Sequence, residues 1–519
     1  MDKLIIIGTR GSQLALWQAE FTRKKLVTFG YEIEIKIIKT KGDIIQDRSF
    51  DKIEGKGFFT KELEDELLGG TIDLAVHSYK DLPTTNPDGL MVAGCSYSED
   101  PADWLIARTD AIVDSAILSL KSNAVVGTSS ARRKSQLLAI RPDLQMRDLR
   151  GNVPTRINKL ESGEYDAVVL AAAGLKRLEF NLDKYRIVPL TLSHCISAPA
   201  QGVLAFQIRE DDLRLQTVVA QLHDEKVAQD VEVERGILKM LGGGCQQPIG
   251  VYCHSQPDGS QIVWAAYAQS WDDFPRRVFM QSKNRQQLIQ DTVQVLKNRG
   301  QKSVFISRDL PPDSFFLRAL THYGYTVVGQ SLLEFSPLEF PRELPPADWL
   351  FFSSKNGVRF FFGQNPILPA GIQIAAIGAG TANAISELGY QVHFTGIGPD
   401  IVQVAFQFAA IARNKHVIFP QPASSAQTVQ QTLNHIVKTH PLVVYQNTPV
   451  VDFDLPVCDI LVFTSPANGL NYLKKHEVSP LQKVIAIGTT TAKALENAGL
   501  RNFHIAASAD EASLVDLCY

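Results

Sequence analysis

The chain has 519 residues, well beyond the roughly 100 to 200 of a single domain, so several separate cores are expected. Its 45% apolar and 21% charged residues exclude a disordered or fibrous chain. A net charge of −3 excludes a chain-wide basic field, and with it any reason to expect nucleic acid as a partner.

At the N-terminus, 4-LIII-7 is too short for a signal segment or a membrane span, so a cytoplasmic protein without a membrane partner is expected. The run reads as a strand and 12-SQLALWQAEFTRKKLV-27 as the amphipathic helix after it. The alternation returns in the helix 60-TKELEDELL-68 and in the strands 72-IDLAVH-77, 124-AVVGTS-129 and 166-DAVVLAAA-173, predicting an α/β fold with largely parallel sheets. The stretches 99-EDPADW-104 and 197-SAPAQG-202 read as crossings between lobes. A helix over 224-DEKVAQDVEVERGILKML-241 leads into 241-LGGGCQQPIG-250, whose glycines keep the backbone permissive and present Cys245 rather than pack it. The six cysteines show no CxxC spacing, so reduced thiols are expected, with neither a disulfide framework nor a metal site.

Beyond about residue 300 a duplication emerges. The stretch 348-DWLFFSSKNGVRFFF-362 followed by 374-IAAIGAGTANAISELGY-390 is echoed by 459-DILVFTSPANGLNYL-473 followed by 484-VIAIGTTTAKALENAGL-500. The offset of about 110 residues is too long for a solenoid and fits two similar α/β lobes with a cleft between them. Asn383 stands at the third glycine position of a dinucleotide fingerprint in 377-IGAGTANA-384, and 487-IGTTTAKA-494 lacks the pattern, which argues against NAD.

Several cationic residues stand just after predicted strands, where open α/β folds bind ligands. In 126-VGTSSARRK-134, Thr128, Ser129 and Ser130 supply N-cap oxygens, while Arg132 and Arg133 in the first helical turn oppose the helix dipole and call for an anionic partner. A solvated basic turn is the plain alternative. Arg10, Arg150, Arg156 and Arg177, with Lys176, extend the set. Planar guanidinium groups pair bidentately with carboxylates, so a polycarboxylate ligand is favoured. In 74-LAVHSYKDLP-83, Asp81 can exchange protons or hold a cationic intermediate and Lys80 can retain an anion, unless the two form only a surface pair.

The segments 8-GTRGSQLALWQA-19, 54-EGKGFFTKELE-64, 76-VHSYKDLP-83, 127-GTSSARRK-134, 148-DLRGNVPTR-156, 165-YDAVVLAAAGLKRL-178 and 241-LGGGCQQPIG-250 together resemble the porphobilinogen deaminase family, also called hydroxymethylbilane synthases. The resemblance covers about residues 1 to 300. It implies two lobes resembling periplasmic binding proteins, residues 1–100 completed by 197–220 and residues 101–196, plus a small α+β domain, 221–300. It also implies a dipyrromethane cofactor joined to Cys245 by a thioether, on which four porphobilinogens are assembled with loss of ammonia. Asp81 is then the acid/base that promotes ammonia loss and stabilises the positive pyrrole, aided by Lys80. Thr128, Ser129, Ser130, Arg132, Arg133, Lys80 and Asp81 would hold the cofactor, and Arg10, Ser12, Arg150, Arg156 and Arg177 the substrate carboxylates. The Gly-rich 54-EGKGFF-59 reads as a lid or a plain loop.

The stretches 303-SVFISR-308, 351-FFSSKNGVRFFF-362, 375-AAIGAGTANAI-385, 443-VVYQNTP-449, 462-VFTSPANGL-470 and 485-IAIGTTTAKAL-495 are similar to uroporphyrinogen-III synthases over about 301–519. This resemblance implies one lobe from 301–337 plus 449–519 and another from 338–448, and ring closure of hydroxymethylbilane with inversion of the last pyrrole. Tyr445 is the candidate to assist the leaving hydroxyl. Ser353, Thr381, Ser465 and Thr490, with Ser354, Thr464 and Thr491, are candidates for substrate carboxylates or plain helix caps. A monomer acting on small molecules in haem biosynthesis is expected. The alternatives are deaminase activity with a non-catalytic appendage, or a non-catalytic anion-binding protein.

Overall fold

A computed structural model describes residues 4–40, 60–114, 116–243, 247–298, 300–396, 401–425 and 427–519. Cys245 and the stretch 54-EGKGFF-59 lie outside the described residues.

The chain begins with β1 (Leu4–Thr9), the helix Gln13–Thr28, β2 (Glu32–Ile37), the helix Lys61–Leu68, β3 (Leu74–Ser78) and β4 (Leu90–Cys95). It then builds a second sheet from β5 (Asp103–Ala107), β6 (Val125–Gly127), β7 (Gln145–Arg147), β8 (Ala167–Ala171) and β9 (Arg186–Leu190), and returns to the first as β10 (Leu204–Arg209). The first sheet runs β2-β1-β3-β10-β4 and the second β7-β6-β8-β5-β9.

The predicted largely parallel arrangement is corrected here, because both sheets are mixed. β10 is antiparallel to β3 and β4, and β5 is antiparallel to β8 and β9. The two crossings cause this, since each strand that follows a crossing enters its sheet from the opposite end. The crossings themselves run close together. Gly202 has a left-handed φ of 93°, and a Cβ there would lie 2.3 Å from the Glu99 carbonyl oxygen.

A third sheet of β11 (Ile249–Ser255), β12 (Gln261–Tyr267) and β13 (Arg276–Ser282) is wholly antiparallel. The helices Glu225–Met240 and Arg285–Lys297 cover it, burying Val233, Ile237, Leu288 and Val293 against Val251 and Val263.

The remaining strands are β14 (Ser303–Ile306), β15 (Thr326–Gly329), β16 (Leu333–Pro337), β17 (Trp349–Phe352), β18 (Gln373–Ala376), β19 (Phe394–Thr395), β20 (His416–Pro422), β21 (Lys438–Pro449), β22 (Ile460–Phe463), β23 (Lys483–Ala486) and β24 (His504–Ile505). They form two sheets, β15-β14-β22-β23-β24 and β16-β21-β20-β17-β18-β19. The second of these is thus inserted within the first, with β16 and β21 pairing antiparallel where the chain leaves and returns. The core of the β14 sheet includes Ile306, Phe316 and Leu514 and also takes Phe274 and Phe279 from around β13. Among the described residues, no helix is long and apolar enough to cross a membrane.

Candidate functional site

Strand β6 ends at Gly127, where a Cβ would strike the Tyr165 ring at 2.7 Å, and the helix Ala131–Ile140 begins four residues later. Arg132 and Arg133 fall in its first turn, as the sequence predicts. Both pair with Asp103 on β5, which is 0% exposed: Arg132 Nη1 donates to Oδ2 at 2.7 Å and Arg133 Nη2 to Oδ1 at 2.6 Å. Burial alone would raise the Asp103 carboxyl, but the two guanidinium groups hold it well below the usual carboxylate range. Arg132 Nη1 also donates to the Ile196 carbonyl at 2.8 Å, and Arg133 Nη1 to that of Val169 at 2.9 Å. An anionic partner therefore exists within the chain, and the arginines are already oriented.

The expected capping hydroxyls behave differently. Ser130 sits at the N-cap but makes no side-chain capping bond. Thr128 Oγ1 accepts from the Ser130 N–H at 3.3 Å, and Ser129 Oγ donates to the Leu149 carbonyl at 2.9 Å and accepts from its N–H at 3.0 Å. Two of the three hydroxyls thus shape the strand-end loop beside Arg150, and the helix start is left without a side-chain cap. Such an end suits an anion.

Lys80 and Asp81 lie in a single 3-10 turn, Tyr79–Asp81, directly after β3. Lys80 Nζ donates to Gln201 Oε1 at 3.2 Å, and Gln201 Nε2 donates to Asp103 Oδ1 at 3.0 Å. One hydrogen-bonded path therefore joins the end of a strand in the first sheet to the arginines of the second. Burial lowers the Lys80 ammonium to about 8, opposed by Asp81 and reinforced by Arg133. Burial likewise lowers Arg156 to about 10, with Arg133 and Arg150 pressing in the same direction and Asp81 against it. Lys80, Asp81, Arg132, Arg133, Arg150 and Arg156 thus form one electrostatic cluster with more cations than carboxylates.

The other predicted residues divide. Ser12 caps the helix Gln13–Thr28, accepting from the Ala15 N–H at 3.3 Å. Arg177 is 6% exposed, donates to the Gly202 carbonyl and lies 5.4 Å from the Trp17 ring centroid, so it holds a crossing in place. Arg10 is near enough to buried His77 to help lower the imidazole, after the larger effect of burial.

These residues fit the dipyrromethane implied by the sequence. Its acetate and propionate carboxylates need buried cations, and the cluster has them in excess. Among the described residues the buried Nε of Arg133 also has no hydrogen-bond partner.

In the C-terminal half, Tyr445 on β21 is 4% exposed, stacks on Phe360 at 5.1 Å and places Oη 3.4 Å from Ser354 Oγ. Burial raises its phenol. Ser354 caps the helix Lys355–Phe362 by accepting from the Gly357 N–H at 3.0 Å, and Ser465 caps Pro466–Lys475 by accepting from the Asn468 N–H at 3.2 Å. Their backbones nearly coincide, with φ and ψ of −160° and 156° for Ser354 and −158° and 156° for Ser465. Ser465 therefore has a capping role, and so does Ser354. Thr381 is buried and Thr490 exposed, each in the first turn of a helix whose N-cap is glycine, Gly378 or Gly488, with no side-chain capping bond. Ser353 is exposed at the end of β17. The inserted sheet brings Tyr445 to Ser354, whereas Ser465 and Thr490 belong to the β14 sheet.

Sequence reasoning missed Asp103 and Gln201 as members of the site, though both lie in the stretches read as crossings. Gln201 could have been found as the one amide amid the small residues of 197-SAPAQG-202, where a buried polar group must find a partner, but Asp103 shares its stretch with Glu99 and Asp100 and nothing in the sequence singles it out.

A family model described as "Porphobilinogen deaminase, dipyromethane cofactor binding domain" matches residues 5–217, and one described as "Uroporphyrinogen-III synthase HemD" matches residues 314–516. The porphobilinogen deaminase of Nitratiruptor sp. is 43% identical over 303 residues, which is 58% of this chain and 95% of that protein. That of Sulfurimonas denitrificans is 45% identical over 265 residues, 51% of this chain and 83% of its own length. Among solved structures, the uroporphyrinogen-III synthetase from Helicobacter pylori is 22% identical with a TM-score of 0.31, covering 41% of this chain and 96% of that one. The chain belongs to the porphobilinogen deaminase family and carries, C-terminal to that part, a uroporphyrinogen-III synthase domain.

Proposed function

We infer that the chain converts porphobilinogen to uroporphyrinogen III in two steps, first joining four pyrroles with release of ammonia and then closing the linear product with inversion of its last ring. The observation that carries the first step is the cluster of Lys80, Asp81, Arg132, Arg133, Arg150 and Arg156 at strand ends, joined across two sheets by Gln201. A dipyrromethane held by a thioether at Cys245 would supply the carbon nucleophile for chain growth. Arg132, Arg133 and Lys80 hold carboxylates, with Ser129 and Ser130 at the same helix start. Arg150, Arg156 and Arg10 receive those of incoming substrate, while Ser12 and Arg177 shape the walls. Asp81, exposed at the mouth, donates the proton that lets ammonia leave and faces the resulting cation.

The fold reading that accompanies this is two binding-protein-like lobes, 1–100 with 197–220 and 101–196, a cysteine-bearing domain 221–300, and a two-lobed synthase, 301–337 with 449–519 and 338–448. The nesting of β10 within the first sheet and of the β16 sheet within the β14 sheet supports it. In the synthase, Tyr445 donates a hydrogen bond to the departing hydroxyl. Thr381 and Thr490, beside uncapped N–H groups, bind substrate carboxylates, with Ser353 and Ser465 alongside. Among the described residues the five cysteines are buried and free, which favours a reducing compartment and hence a cytoplasmic enzyme, which we take to be monomeric.

The test supplies purified chain with porphobilinogen. Mainly the type III isomer is expected, and a type I product formed by spontaneous closure would remove the synthase role. Intact mass of the denatured protein should exceed the sequence by two porphobilinogens less two ammonias, and Cys245→Ser should abolish that excess. A wild-type chain that never gains the adduct on incubation with substrate would overturn the first assignment.

A further inference from the structure

The deaminase and synthase parts meet through a buried junction. Arg277 on β13 and Asp516 in the helix Glu511–Cys518 are 2% and 3% exposed, and Arg277 Nε and Nη2 donate to the Asp516 carboxylate at 2.8 and 3.1 Å. The same Nη2 donates to the Leu192 carbonyl at 2.8 Å. One residue on, Ser193 Oγ donates to Asp510 Oδ2 at 2.7 Å, and Asp510 also caps the helix by accepting from the Ser513 N–H at 2.8 Å. Aromatic packing surrounds these bonds: Phe274 meets Phe315 at 5.4 Å, and Arg276 lies 4.3 Å from the Tyr519 ring centroid. Arg318 donates to the Ala139 carbonyl at 2.6 Å, at the far end of the helix that carries the paired arginines.

The segment 192–196 so gripped is also the wall of the anion site. The Ile196 carbonyl accepts from Arg132 Nη1 at 2.8 Å and from Gln136 Nε2 at 3.1 Å, and the Ile196 N–H donates to Gln136 Oε1 at 2.7 Å. Arg132 in turn shares Asp103 with Arg133. A path of hydrogen bonds, bridged by the three residues of chain between Leu192 and Ile196, thus runs from the synthase helix to the two arginines.

We propose that the synthase helix Glu511–Cys518 is a positioning element of the deaminase site, with Asp510 and Asp516 holding segment 192–196 in the place that sets Arg132 and Arg133 for binding carboxylates. The proposal rests on the reading of the first site given above. Asp510 and Asp516 are positioning residues, since neither touches substrate. Each carboxylate accepts through both oxygens, and the isosteric amide turns one of those acceptors into a donor, so it weakens each grip with little change in volume.

The experiment uses the full chain, loaded with its cofactor, as wild type, Asp516→Asn, Asp510→Asn and Ser193→Ala. Two readouts are taken: amide hydrogen exchange of peptides spanning 191–197 and 131–140, and KM and kcat for porphobilinogen. Exchange in 191–197 should quicken, and KM should rise by about 5- to 150-fold, the span of ordinary coupling between sites. The fall in kcat/KM should come from KM, and Asp510→Glu should recover part of it. Should Asp516→Asn fail to fold, Asp510→Asn, which disturbs the part-buried bonds from Ser193 and Ser508 to Oδ2, and Ser193→Ala, which removes its part-buried contacts with Asp510 and Ser508, decide alone. Unchanged exchange with unchanged KM overturns the proposal, as does a fall in kcat alone. Quickened exchange in the variants, with a wild-type chain that turns over no porphobilinogen, would instead strike down the reading of the site and leave the mechanical link standing.

Discussion

Arg132 and Asp103 meet at 2.7 Å with side chains 5% and 0% exposed, and Arg133 shares the same carboxylate. Two cations on one buried acid leave positive charge over, which is what a polycarboxylate requires. Removing the acid would strand both. Asp103→Asn should therefore destabilise the fold by about 3 to 5 kcal/mol, the usual cost of breaking a buried pair. Denaturant midpoints compared at a constant slope give the number; a loss below about 1 kcal/mol would mean that other groups balance the arginines.

Lys80 is the pH-sensitive cation of the site, because burial brings it down to about 8. It holds a carboxylate only while protonated, so its contribution is present below about 8 and fades above. The rate at which chain lacking its cofactor gains the mass of the dipyrromethane should fall as pH rises through about 8. Lys80→Arg should keep its rate to higher pH, since a guanidinium stays charged. Parallel profiles for the two proteins would clear Lys80 of that duty.

His77 predicts an acid limb in stability. It is buried beside Gln207, with Nε2 3.0 Å from Oε1, and burial lowers its imidazole to about 4. The unfolded chain takes up the proton near 6.5, the folded chain only near 4, so the stability held above 6.5 is lost as pH falls between those values. The loss is about 3 kcal/mol in order of magnitude. His77→Gln should flatten this slope. Glu234, which burial raises to about 8, works in the opposite sense and is common to both proteins, so the difference between their unfolding curves isolates His77.

Tyr445→Phe removes the hydroxyl that stands 3.4 Å from Ser354 while keeping the ring on Phe360. Ring closure should slow by about 100- to 10,000-fold, as for loss of one general acid, and more type I isomer should accumulate. Consumption of porphobilinogen should be unaffected. An undiminished share of type III would take Tyr445 out of the reaction.

Much of this was legible in the residues. The helix expected over 12–27 runs from Gln13 to Thr28, and Lys80 and Asp81 stand at a strand end as their spacing implied. The duplicated motifs gave near-identical caps at Ser354 and Ser465, because the same short sequence meets the same turn. Strand direction was not legible: the buried run LAFQIR of β10 reads alike whichever way it enters a sheet. Nor was the Asp103 partnership, since its arginines lie 29 and 30 positions away and only the tertiary fold brings them together. Ser130 was misjudged as a capping hydroxyl because cap preference says which residue stands at a helix start, not which bond its oxygen makes.

The nesting of β10 also orders events on the ribosome. β10 lies between β3 and β4, so the first sheet cannot close until residue 209 has emerged, after every strand of the second sheet is already out. The same inversion recurs later, where β14 waits for β22 while the strands from β16 to β21 are made in between. At roughly 5 to 20 residues per second, each early half spends several seconds incomplete. The segments begun first are therefore finished last, and the exposed edge of β3 is the place where a chaperone would be needed during synthesis.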